Sequence, residues 1–120
     1  MLNNFCVNLT HSTDDPDRAT VAMVVANAAV ASGKNTMVFL SSEGVRLAVK
    51  GVADGIHEEG FQPMATLIQN FVATGGVIWV CSPCFKKRGY TDGELIEGAT
   101  IVGGAKLVEF LSTDGTGVSY

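Results

Sequence analysis

Charge is what this sequence has least of. Only 17% of its 120 residues are Asp, Glu, Lys or Arg, and acids outnumber bases 12 to 8, a formal net charge of −4. Phosphate contacts need a basic face, so nucleic acid is excluded as the main partner. No stretch approaches the ~20 uninterrupted apolar residues of a membrane span, so a membrane role is excluded too. Met1-Leu-Asn-Asn-Phe5 has no basic start of the kind a secretory leader carries. Three cysteines are too few for a disulfide framework. Linkers, repeats and low-complexity tracts are missing, and the chain is too short for two cores, so residues 1–120 read as a single domain. Apolar residues, at 47%, exclude disorder. What these absences leave is a soluble, cytoplasmic domain with too few charges to solvate a monomer's surface. Part of its apolar surface is expected to meet another copy of the chain.

Five short runs favour strands: Phe5–Leu9, Thr36–Leu40, Val77–Cys81, Ala99–Val102 and Gly117–Tyr120. Each interval between them exceeds the roughly ten to twelve residues of a βαβ crossover, so parallel strands with right-handed helical crossovers follow. The first crossover is the clearest. Asp15 caps a helix, Pro16 opens it and Gly33 ends it. Ala19–Ala31 is apolar all round, so burial on more than one side is expected, with Val21 and Val25 at a subunit contact. A short helix over Val45–Lys50 precedes a loop over Gly51–Gln62, and Pro63 opens a helix running to Ala73. A last helix over Ala105–Leu111 would bury Leu107, Val108 and Leu111. Strand order does not follow from spacing.

The chemistry gathers after the third run, in Val-Cys81-Ser-Pro-Cys84-Phe-Lys-Lys-Arg88-Gly89. Ser82 suits an N-cap and Pro83 a first helical position, which puts Cys81 at a strand end and Cys84 in a first turn. Unpaired N–H groups and the positive helix end favour a thiolate there. A free thiol with pKa ~8.5 is about 3% ionised at pH 7, whereas one lowered to ~6.5 is roughly three-quarters ionised. That difference needs ~2.7 kcal/mol, within reach of a helix start plus Lys86, Lys87 and Arg88. The same basic cluster also reads as a solvated helix end or a docking patch for an anionic partner.

Sites in an open parallel sheet lie outside the carboxyl ends of its strands. That edge collects His11 and Ser12 after the first run, Ser41, Ser42 and Glu43 after the second, and Cys81, Ser82 and Cys84 after the third. His11 is the best-placed partner for a thiolate, and equally a loop histidine bonded to water. Glu43 reads as a pocket acid or, preferably, as a helix-start charge. His57 reads as a solvated loop residue, and Trp79 and Cys6 as core packing. Structural zinc needs four ligands, and beyond the cysteine pair only Cys6, His11 and His57 remain, so neither a metal nor another cofactor is expected. A thioredoxin-like dithiol would follow an early strand and face a later cis-proline, a pattern absent here. A dithiol on another scaffold and a persulfide carrier both stay open.

The strand with Cys81-x-x-Cys84-x-x-x-Arg88-Gly89, then Leu95-Ile-Glu-Gly98 and the closing run Gly117–Tyr120, resembles the DsrE/DsrF family of small sulfur-metabolism proteins, nearest its YchN-like branch. Phe39-Leu-x-x-Glu-Gly-Val45 extends the likeness more weakly. The resemblance implies an α/β fold, a three-layer α/β/α domain with a five-stranded parallel sheet, assembling as a homotrimer or homohexamer. It also implies a sulfur-relay function, a persulfide carrier or sulfurtransferase, exchanging with sulfur donor and acceptor proteins. In TusD-like members the sulfur-accepting cysteine lies eight residues before the glycine of Arg-Gly, the position of Cys81. Cys84 matches the second cysteine of the YchN-like branch, a resolving or second sulfur, and TusD-like members lack it. His11, Lys86, Lys87 and Arg88 would support the thiolate. The other reading is a non-catalytic module that binds a ligand or senses redox state through the same pair.

Overall fold

The computed structural model describes residues 3–120; the first two residues of the segment read for a leader lie outside them. Strands β1 (Asn4–Leu9), β2 (Asn35–Leu40), β3 (Val77–Cys81), β4 (Ala99–Val102) and β5 (Gly115–Ser119) form one sheet in the order β4-β3-β2-β1-β5. Every pairing is parallel. Helices α1 (Pro16–Ala31), α2 (Met64–Ala73), α3 (Ser82–Lys87) and α4 (Gly104–Ser112) supply the crossovers, with a 3-10 segment over Ser42–Ala48. No helix among the described residues is long and apolar enough to cross a membrane.

Alternation along the strands builds two cores. Val7, Leu9, Val38, Leu40, Ile78 and Val80 pack under α1, α2 and the 3-10 segment. Cys6, Met37 and Phe39 point the other way, toward Trp79 and the α4 residues Leu107, Phe110 and Leu111. Helices therefore cover both faces of the sheet, which makes three layers. Cys6 is fully buried, and the half-buried Trp79 packs edge-on against Phe110 at 5.7 Å, so both serve packing.

Helix α1 starts as its sequence dictates. Asp15 Oδ1 accepts from Arg18 N–H at 3.1 Å, Pro16 stands at the first position, and Gly33 adopts φ 81° after the Ser32 cap. Its small residues Ala19, Ala22, Ala26 and Ala29 let it lie close on the sheet. Asn27 Nδ2 donates to Leu67 O at 3.1 Å and ties it to α2.

On α1, Val21 and Val25 are both half-buried, Val25 packing against the core, and Val24 is the more exposed valine. One face of the helix rests on the sheet and a flank meets α2, so the apolar ring is not uniformly covered. Three expectations shift. Val108 is 64% exposed, because α4 presents only Leu107, Phe110 and Leu111 to the sheet. The short helix expected over Val45–Lys50 is a 3-10 segment that begins earlier, at Ser42, with only Ser41 between it and β2. β5 begins two residues early, where Gly115 pairs with Asn4; Tyr120 still extends the ladder by donating to Asn8 O at 2.8 Å.

The 3-10 segment is seated by a close backbone approach. A Cβ on Gly44 would sit 2.1 Å from the carbonyl oxygen of Leu9, a backbone atom that has nowhere to go. Gly44→Ala is therefore expected to cost about 2–3 kcal/mol in chemical denaturation. Gly104→Ala, at the start of α4 with open space around it, should be neutral or stabilising by roughly 0.5–1 kcal/mol. Equal effects of the two changes would refute the steric account.

Candidate functional site

Parallel strands place all their carboxyl ends at one edge of the sheet, and β3 and β2 are neighbours there. The turn after β2 thus lies beside the cysteine segment after β3. β3 runs into α3 with no connecting residue. Cys81 itself occupies the N-cap position and makes no side-chain cap hydrogen bond, so Ser82 is the first helical residue rather than the cap.

The two thiols are free and hydrogen-bonded to each other, and their environments split them. Burial pushes the Cys81 thiol up, and its hydrogen bond to Cys84 pushes the same way. The Cys84 N–H and the charge of Arg88 oppose this without overcoming it. Burial acts on Cys84 too, but the hydrogen bond from Cys81, the backbone N–H of Ser42, and the charges of Arg88 and Lys87 outweigh it. The Cys84 thiol is held below its ordinary value. Of the pair, Cys84 is the thiol that ionises more readily and Cys81 the one that holds its proton longer. Ser42 reaches Cys84 from a strained backbone, with φ 51° in a residue that has a side chain.

Behind the sulfurs lies a charged chain. Glu43 accepts from Arg88 Nε at 2.7 Å through Oε2 and from Arg46 Nε at 2.8 Å through Oε1. The two guanidiniums, Arg46 first, hold the Glu43 carboxyl below the usual range. Arg88 also donates to Cys84 O at 3.1 Å, and Arg46 donates to Tyr90 Oη at 2.7 Å. Tyr90 in turn packs on Phe85 of α3 at 5.2 Å.

The other expected site residues scatter. His11 Nδ1 pairs with Asp14 Oδ2 at 2.7 Å, and no hydrogen bond joins it to a thiol among the described residues. Ser12 is fully buried with an unpartnered hydroxyl, its N–H donating to Asp14 Oδ1 at 2.8 Å. Ser41 donates its N–H to Leu9 O at 3.2 Å and so joins the ends of β2 and β1. Ser82 and Lys86 line a cleft of about 700 Å³ with Phe85, Tyr90, Asp92 and Ile101, a cleft the thiols do not line. Lys87 is exposed and acts on Cys84 through its charge alone. His57 is exposed, with Nε2 bonded to Phe61 O at 2.9 Å. Arg46 and Tyr90 are the residues the sequence reading missed. Glu43 and Arg46 stand three apart, a legible pairing; Tyr90 carried no local signal.

A five-stranded all-parallel sheet between helices, with a cysteine pair at the carboxyl end of a strand, defines a small α/β thiol protein. The chain belongs to the DsrE/DsrF-like family, whose profile matches residues 3–118. Two uncharacterised proteins of Methanocaldococcus jannaschii are similar to it. One is 28% identical over 90% of this chain, which spans only 39% of that relative's length; the other is 29% identical over 97% of this chain and 98% of its own. The fold is shared with the ychN protein of E. coli, at TM-score 0.71 and 18% identity over the whole of both chains. A protein of unknown function from Methanobacterium thermoautotrophicum has TM-score 0.72 and 14% identity, covering 98% of this chain and 99% of that one.

Environment also decides the third cysteine. Burial pushes the Cys6 thiol up from 9.0 to about 11, with the Phe39 backbone hydrogen bond opposing weakly. A thiol that ionises later in the folded than in the unfolded chain favours folding while neutral. That contribution is complete below pH 9 and is lost as pH rises toward about 11. Cys6→Ala should accordingly flatten the fall in stability between pH 9 and 11; superimposable slopes would count against it. At neutral pH, iodoacetamide should label Cys84 first, Cys81 more slowly and Cys6 only on unfolding, as peptide mapping would resolve.

Proposed function

We propose that the protein is a cytoplasmic sulfur carrier working through Cys84 and Cys81. The observation that carries this reading is a pair of free cysteines where β3 runs into α3, with the half-buried Arg88 guanidinium donating to the Cys84 carbonyl at 3.1 Å, and the Cys84 thiol is held below its ordinary value there. The Cys84 thiolate attacks the outer sulfur of a donor persulfide. A new S–S bond forms at Cys84 as the donor's S–S bond breaks, and the donor leaves as a thiolate. No oxidant is consumed. Cys81, beside the new persulfide, takes the sulfur by a second exchange once its proton has left. Its place eight residues before Gly89 matches the sulfur-accepting position of the relay members the chain resembles.

Exposure to a low-molecular-weight persulfide, followed by intact-mass spectrometry, tests this. A gain of about 32 Da per sulfur is expected in the wild type and in Cys6→Ser, and none in Cys81→Ser/Cys84→Ser. Of the single variants, Cys84→Ser should slow uptake more than Cys81→Ser. No adduct on any variant at neutral pH refutes the carrier.

Self-assembly as a trimer or hexamer is part of the proposal. Val108 on α4 and Val118 on the edge strand β5 are 64% and 36% exposed, on a domain with few charges. Light scattering should give a multiple of the chain mass, and Val108→Glu should lower it without unfolding the domain. A wild-type mass of one chain at all concentrations would rule assembly out.

A further inference from the structure

We infer that Glu43 is a positioning residue for the thiol site, holding the Arg88 guanidinium against Cys84 by sharing its carboxylate with Arg46. The inference rests on the reading of Cys84 as the reactive thiol, but not on what that thiol reacts with.

A carboxylate near a thiol disfavours the thiolate. Yet Glu43 stands in the segment whose Ser42 N–H bonds the Cys84 sulfur, and Cys84 is the thiol held low. The geometry resolves the conflict. Both Glu43 oxygens are occupied, one by each arginine, at 2.8 and 2.7 Å. Two cations on one anion leave the group positive, and one of those cations is the charge that acts on Cys84.

Arg88 depends on this arrangement. Its side chain is only 15% exposed and has two protein partners, Glu43 and the carbonyl of Cys84 in α3, the helix that Arg88 caps. Without Glu43 a single neutral acceptor would have to hold a long side chain that gains rotamer freedom on release. Glu43 is itself fixed at both ends. The segment that bears it starts at the strained Ser42 and is pressed by Gly44 onto Leu9 O. Its second arginine is moored to Tyr90, by the hydroxyl at 2.7 Å and with the ring centroid 5.7 Å away. Tyr90 packs on Phe85, one residue from Cys84, which closes the circuit. The groups acting on Cys84 are therefore Cys81 from β3, Lys87 and Arg88 at the end of α3, Ser42 N–H from the 3-10 segment, and Glu43 behind Arg88.

The sign makes the test decisive. If Glu43 were only a nearby negative charge, Glu43→Ala would speed alkylation of Cys84. A positioning residue gives the opposite result: iodoacetamide labelling of Cys84 at pH 7, located by fragment ions, slows about fivefold and its pH profile moves to higher pH. In an Arg88→Ala background, Glu43→Ala should bring no further slowing. Unchanged or faster labelling in Glu43→Ala overturns the inference, and so does a further slowing without Arg88. Should Glu43→Ala not fold, as judged by circular dichroism, Glu43→Gln carries the same test with a smaller slowing expected. Labelling reads the thiolate whatever sulfur chemistry follows. A protein that takes up no persulfide can therefore still obey this prediction, and a carrier can violate it.

Discussion

Burial of the central strand organises this molecule. β2 pairs with β1 on one side and β3 on the other, and Thr36 through Leu40 are each no more than 6% exposed. Such a strand must be apolar on both faces, and its sheet must be parallel and covered by helices on both sides. Every later feature inherits that geometry. Parallel crossovers bring the carboxyl ends of β1, β2 and β3 to one edge. The fully buried neighbours Val38, Leu40, Ile78 and Val80 then lock the register that sets the Ser42 turn next to Cys84.

At that edge, apolar order gives way to a small electrostatic device. Coulombic pairs this close to solvent contribute little to stability, so the Arg46–Glu43–Arg88 chain is poorly explained as a fold-stabilising element. Its value lies in direction. Its cation Arg88 acts on both sulfurs, and only at Cys84 do the favourable influences outweigh burial. Two cysteines with the same intrinsic chemistry thereby acquire different roles, a donor of a hydrogen bond and an acceptor of it. The strain at Ser42 belongs to the same device, because it aims the backbone N–H at the acceptor.

The sheet is covered unevenly. Under α1 and α2 the core is wide and fully buried; under α4 it is narrow, and every residue from Ala99 to Tyr120 keeps some exposure. Leu107 and Leu111 pack inward as their spacing indicated, but Val108 faces out, because one short helix cannot turn three adjacent stripes to the sheet at once. Periodicity told which residues are apolar. It did not tell how many of them one helix could cover.

Local chemistry determined much of this protein. The cap at Asp15 and the stop at Gly33 mark α1 because they act within one turn of the chain. The five strand runs, their parallel sense and the cysteine pair at the end of β3 follow from spacing and from side chains that are neighbours in sequence. The tertiary structure alone decided the strand order and which way each thiol's pKa moves. It also detached His11 from the cysteines and gave it to Asp14. The contacts that seat the two arginines beside this edge join residues 44 and 45 positions apart, Arg46 to Tyr90 and Arg88 to Glu43. Nothing in the chain near either partner signals the other. Only the packing of β2 beside β3 brings them within reach, and an electrostatic field has no meaning until its charges have places.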